Sequence, residues 1–128
     1  MPDQDPSELA RRFFEAYGEG DTETVRSLLA PDAVSFITNA DAGTDRVEGR
    51  DGFMSRLPDL EGAELSTSIT QVVGIDEERA MTMIEVKAER RGRSLHNFAA
   101  FLTRSADGLI THLWMVDAKP SYSDDFWS

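Results

Sequence analysis

At 128 residues the chain has the length of one domain, and an apolar fraction of 40% with seven Phe, two Trp and two Tyr supplies a core rather than a disordered segment. The absence of cysteine excludes disulfides and thiolate chemistry, and only two histidines argue against a histidine-rich metal site. A formal charge of −11 repels phosphate backbones and anionic membranes, and no apolar run reaches bilayer length, so neither nucleic acid nor a membrane is an expected partner.

The acidic, polar start Met1-Pro2-Asp3-Gln4-Asp5 lacks the basic-then-apolar pattern of a secretory signal, which makes the cytoplasm the expected location. Asp5-Pro6-Ser7-Glu8 opens a helix: Asp as cap, Pro at the first helical position, Glu at the third. Leu9, Phe13, Ala16 and Tyr17 recur at helical spacing until Gly18 and Gly20 stop it. Asp21 caps a second helix that buries Val25, Leu28 and Leu29 and that Pro31 ends. Residues 33–38 read as a strand, 39–49 as a loop that could overhang a pocket, and 51–57 as a short helix stopped by Pro58. Four strands follow, over 63–75, 80–90, 94–103 and 109–118. Asp76-Glu77-Glu78, Arg91-Gly92 and Asp107-Gly108 supply their turns. No repeat or linker interrupts this order, so residues 1–128 form a single α+β domain with the helices on one face of a curved antiparallel sheet. The basic cluster Arg90-Arg91-Gly92-Arg93 falls on a hairpin tip and reads as a solvated turn.

Helices first and strands after, with particular residues at the joints, resembles the nuclear transport factor 2-like superfamily. The resemblance is carried by Phe13-Phe14-Glu15-Ala16-Tyr17 with Gly20-Asp21, and by Leu28-Leu29-Ala30-Pro31-Asp32-Ala33-Val34. Val47-Glu48-Gly49-Arg50-Asp51, and Asp107-Gly108-Leu109-Ile110 leading to Trp114, continue it, so that it spans Pro6 to Ala118. Within the superfamily the chain is most similar to the SnoaL-like branch, which includes polyketide cyclases. That resemblance implies a cone-shaped fold with a pocket between the helices and the concave sheet face. Matched onto this sequence, the pocket wall would be Phe13, Tyr17, Ile37, Ile84, Val86, Leu113 and Met115. Such an apolar lining suits a small hydrophobic molecule better than a sugar or a phosphate.

The resemblance also narrows the chemistry. Ketosteroid isomerase-like members need a carboxylate base, a tyrosine and a protonated acid, where this chain has Ile37, Phe13 and Ala100 or Phe101. Limonene epoxide hydrolase-like members need one Arg and two Asp, where this chain has Ile84, Val86 and Met115. Scytalone dehydratase-like members use two pocket histidines, and His96 and His112 would both have to face inward to serve. SnoaL-like cyclases use an aspartate near the end of the sheet as acid/base, and Asp117 is the natural match.

Strand alternation groups Leu113, Met115 and Asp117 on one face, with Ile110, His112, Trp114 and Val116 on the other. A two- or four-residue turn at 105–108 is expected to set His96 across from Asp117, Cβ atoms about 5 Å apart, where the pair could share a proton near neutral pH. A three-residue turn with a bulge at Gly108 brings Asn97 there instead.

Two readings follow. In one, the chain is a homodimeric, SnoaL-like protein that binds a small hydrophobic carbonyl or polyketide-like molecule. Asp117 would do cofactor-independent cyclase-, isomerase- or lyase-like proton transfer, with His96 or Asn97 orienting it. In the other, it is a non-catalytic ligand-binding or interaction domain of the same fold, and Asp117 only bonds backbone amides at a strand end. Met81 and Met83 suggest packing of the outer sheet face against a second subunit, and Trp114 is expected to pack in the core or at an interface. Phe126 and Trp127 at the end of a polar tail are expected to dock, either on the domain or its dimer mate or over the pocket mouth.

Overall fold

Asp5 accepts a 2.9 Å hydrogen bond from the Ser7 amide and starts helix α1, Pro6–Glu19, which buries Leu9, Ala10, Phe13, Phe14 and Ala16 along one stripe. The computed structural model describes residues 5–39, 41, 43–56, 63–119, 122, 125 and 126. Gly20, at φ 73°, closes α1 in the left-handed conformation that a side chain disfavours. Asp21 then caps helix α2, Thr22–Ser27, by accepting from the Thr24 amide at 3.2 Å.

Strand β1, Leu29–Thr38, starts earlier than the sequence suggests, so Pro31 lies inside a strand instead of ending a helix. The pairing of β1 shifts between Leu29 and Val34, and in that gap a proline's missing N–H breaks no ladder bond. Strand β2, Thr44–Glu48, occupies part of the segment read as a loop. It is an edge strand with no fully buried side chain, so its sequence carries no apolar alternation. Helix α3, Arg50–Ser55, follows and buries Phe53. The expected end of that helix at Leu57 and Pro58 lies outside the described residues.

Strands β3 (Ala63–Gly74), β4 (Arg79–Arg90), β5 (Arg93–Ala106) and β6 (Leu109–Asp117) complete one sheet in the order β2-β1-β6-β5-β4-β3. Arg91-Gly92 and Asp107-Gly108 form two-residue turns with positive φ throughout, the geometry that matches the twist of hairpin strands. The sheet is mixed and not wholly antiparallel: β1 and β6 run parallel. They are distant in sequence and joined by no hairpin, so nothing in the local pattern announced their direction.

The core fills the space between α1 and the concave face. Phe14 lies 4.9 Å from Phe13 and 4.5 Å from Phe101, centroid to centroid. At Gly18 the helix comes so close to β3 that an added Cβ would stand 3.1 Å from the Thr67 carbonyl oxygen. This contact lays the last turn of α1, with Tyr17, over the Thr67 stretch of β3. Ile110 was expected on the outer face with His112, yet it is 1% exposed and part of the core. The pairing jumps from Ser105–Ile110 to Arg104–His112, which makes Thr111 an extra residue that reverses the alternation.

Candidate functional site

The register arranges the concave face in rows. Ile37, Met115, Phe101 and Thr82 form one; Asp117, Ala99 and Ile84 the next; then Asn97 with Val86, and finally Leu95 with Ala88. The predicted apolar wall divides along these rows. Phe13, Ile84 and Leu113, at most 2% exposed, are packed core. Tyr17, Ile37, Val86 and Met115 are only partly buried and pack against that core, toward the end of the sheet where Asp117 lies.

Asp117 ends β6 half-buried. Its Oδ1 accepts from Asn97 Nδ2 at 2.7 Å and from the Lys119 amide at 2.7 Å. Its own amide donates to Thr38 Oγ1 at 3.0 Å, tying it to the end of β1. Oδ2 has no hydrogen-bond partner among the described residues. Asn97 is 3% exposed and accepts from the Phe98 amide through Oδ1 at 2.9 Å, which aims its Nδ2 at Asp117. The Tyr17 phenol is pushed up from its ordinary pKa of 10.0 by burial, so it is a neutral hydroxyl at physiological pH.

Neither expected register occurs. The turn has two residues, and carrying the Ser105–Ile110 pairing forward would set Phe98 against Asp117; the bulge at Thr111 shifts this by one, to Ala99. Asn97 then reaches Asp117 diagonally, on the same face. His96 lies on the opposite, outer face of β5, 54% exposed at its side chain, with Nε2 2.6 Å from Glu85 Oε2. It therefore touches no part of the Asp117 cluster. His112 also lies on the outer face, stacked on Trp114 at 5.6 Å. Thr38 and Lys119, which complete the cluster, carried no signal in the sequence, because one acts through a hydroxyl across a parallel pairing and the other through its backbone. Among the described residues no group of three or more His, Asp or Glu is placed to hold a metal ion, and no helix is long and apolar enough to cross a membrane.

The outer face carries its own apolar surface. Met83, Phe98 and Val116 are 46%, 50% and 58% exposed, beside a Phe36–Trp114 stack at 5.6 Å.

A curved six-stranded sheet with helices on its concave side is the cone-shaped α+β fold of the nuclear transport factor 2-like superfamily. The SnoaL-like domain matches residues 10–113, and the chain belongs to that family. An uncharacterized protein of Mycobacterium tuberculosis is 27% identical over 131 residues, covering 100% of both chains. Among solved structures, Bal32a from a soil-derived mobile gene cassette superposes with a TM-score of 0.80 at 19% identity, covering 96% of each chain. A candidate SnoaL-like polyketide cyclase from a Jannaschia species gives 0.72 at 16% identity, covering 89% of this chain and 90% of that one.

Proposed function

We propose that this chain binds a small hydrophobic carbonyl or polyketide-like molecule at the Asp117 end of the cone and transfers a proton on it through Asp117. The observation that carries the reading is the division of labour on one carboxylate. Oδ1 is held by Asn97 and the Lys119 amide, while Oδ2 is without a described partner on a face lined by Tyr17, Ile37, Val86 and Met115. A carboxylate fixed through one oxygen and open at the other suits abstraction of a proton next to a carbonyl and its return elsewhere on the same molecule. The neutral Tyr17 hydroxyl, in the last turn of α1, is a donor available to the ligand. The polyketide cyclase description of the Jannaschia protein accords with this substrate class. We assign the orienting role to Asn97 and none to His96. A homodimer formed through the outer face would leave the Asp117 end open.

A second reading is a ligand-binding domain without catalysis, favoured by the bond between Asp117 Oδ1 and the Lys119 amide, a strand-end pattern that needs no chemistry. A thermal-shift screen with hydrophobic ketones and polyketide-like esters, repeated on Asp117→Asn, separates the two. Ligands that raise the midpoint of both proteins, with product formed only by the unsubstituted one, support proton transfer. Binding without turnover in either supports the second reading. No ligand-dependent shift at all counts against both.

A further inference from the structure

We infer that Phe126 is the end wall of the ligand site and sets the length of molecule it accepts. The inference rests on the proposed ligand site at Asp117. Three observations converge on it. First, β5 outlasts β6: their pairing stops at Ala99–Asp117, leaving the edge of residues 94–98 to Ala118 and Tyr122. The Ala118 amide donates to the Phe98 carbonyl at 2.9 Å. Tyr122 Oη then accepts from the His96 amide and donates to the Ser94 carbonyl, each at 3.1 Å. A side chain thus continues the ladder that β6 abandons, and it anchors Tyr122 to the edge of β5.

Second, Phe126 lies over the concave face. Its ring is 3% exposed and packs with Ala88 and Leu95, a directly paired couple one row beyond Asn97 and Val86 and two rows beyond Asp117. Val86 touches both this small cluster and the main core, so the ring sits at the border of the proposed site. Third, the seat is built. Arg93 lies 5.9 Å from the Phe126 ring centroid, and its Nη2 is 2.6 Å from Asp125 Oδ2. The expected companion of Phe126, Trp127, lies outside the described residues.

A ligand that presents its carbonyl to Asp117 and extends along the rows meets Phe126 after passing Asn97 and Val86. Beneath the ring lies Ala88, whose side chain is a single methyl group, so removing the ring opens space that nothing local refills. Compact ligands should fit in front of the wall and long-chain ones should not.

The test is calorimetric titration of the full chain and two variants with linear phenyl ketones from acetophenone to octanophenone. The unsubstituted protein should bind acetophenone and lose affinity as the alkyl chain lengthens. Phe126→Ala should bind octanophenone about tenfold or more tighter than the unsubstituted protein, with acetophenone changed less than about threefold, since two extra buried methylenes suffice for such a gain. Phe126→Leu, which keeps most of the side-chain volume, should retain the original length profile and show that folding is intact. Identical length profiles for Phe126→Ala and the unsubstituted protein would overturn the end wall and leave the ligand site standing. No binding of any ketone to any of the three would overturn both.

Discussion

Asn97 donates to Asp117 across a diagonal of the β5–β6 pair at 2.7 Å, although Ala99 stands opposite Asp117 in the ladder. The contact exists because both side chains leave the concave face, where a diagonal neighbour on the adjacent strand is within reach of a long polar side chain. The two partners should respond differently to substitution. Asp117→Asn keeps the shape and an acceptor oxygen for both the Asn97 amide group and the Lys119 N–H, so stability should change by less than about 1 kcal/mol. If Asp117 moves a proton, the same change should lower turnover by about 10²- to 10⁴-fold with binding largely kept. Asn97→Ala deletes a buried donor and acceptor and strands the Phe98 amide, and should cost about 1–3 kcal/mol in a urea titration.

The placement of Asp117 on the concave side of the sheet was legible in the sequence because Leu113, Met115 and Asp117 alternate without interruption. Its neighbour was not. Register depends on where a bulge falls, and Thr111 looks like any strand threonine in the sequence; it became the extra residue only because the pairing shifts around Arg104 and Ser105. The same bulge turns Ile110 to the concave face, against the uninterrupted alternation that the sequence predicts. Helix α1 was readable from its cap and stripe, whereas β2 was not, since an edge strand that buries no side chain has no period to detect. The parallel contact of β1 with β6, which brings Thr38 to the Asp117 amide, joins residues 79 apart in sequence and leaves no local trace.

The outer face should hold two copies together. Phe98, Val116 and Met83 are each about half exposed on adjacent strands, beside the Phe36–Trp114 stack, and form one apolar surface. Sedimentation equilibrium at micromolar concentration should give twice the chain mass of 14.2 kDa. Val116→Asp places a carboxylate at the centre of that surface and should return the mass to the monomer value. Because Val116 is 58% exposed in the single chain, the fold itself should survive the change. A monomer mass for the unsubstituted chain would refute the dimer.

Two hydroxyls in the interior point the other way, toward stability left unused. Ser35 and Thr82 are fully buried on the concave side, and neither Ser35 Oγ nor Thr82 Oγ1 has a hydrogen-bond partner among the described residues. An unsatisfied buried hydroxyl carries its desolvation cost without return. Ser35→Ala and Thr82→Val should each raise stability by about 1 kcal/mol, or a few degrees in thermal midpoint for a domain of this size. A fall in midpoint for both would mean that the hydroxyls are satisfied in solution, for example by water.

Acid should destabilise the chain through a defined set of carboxylates. Asp76 accepts from Arg79 Nε at 2.8 Å and Nη2 at 2.6 Å, and from the Glu78 and Arg79 amides, each at 2.9 Å. The Arg79 side-chain bond is the main reason that its pKa lies below the usual 3.8. Asp5 and Asp21 are lowered likewise, chiefly by the Ser7 and Thr24 side chains at the two helix caps. The sign follows from linkage: a carboxyl whose folded pKa is depressed adds stability that is fully present above the unfolded value and is lost as pH falls through the folded one. Stability should therefore be level with respect to these groups near neutrality and decline below about pH 4. The triple variant Asp5→Ala, Asp21→Ala, Asp76→Ala should be less stable than the unsubstituted protein at pH 7. Its denaturation curve should approach that of the unsubstituted protein as the pH falls toward 2 and the carboxyls take up protons. Urea midpoints measured at intervals between those limits provide the check, and a gap between the two proteins that stays constant down to pH 2 would show that the three carboxylates do not act through their charge.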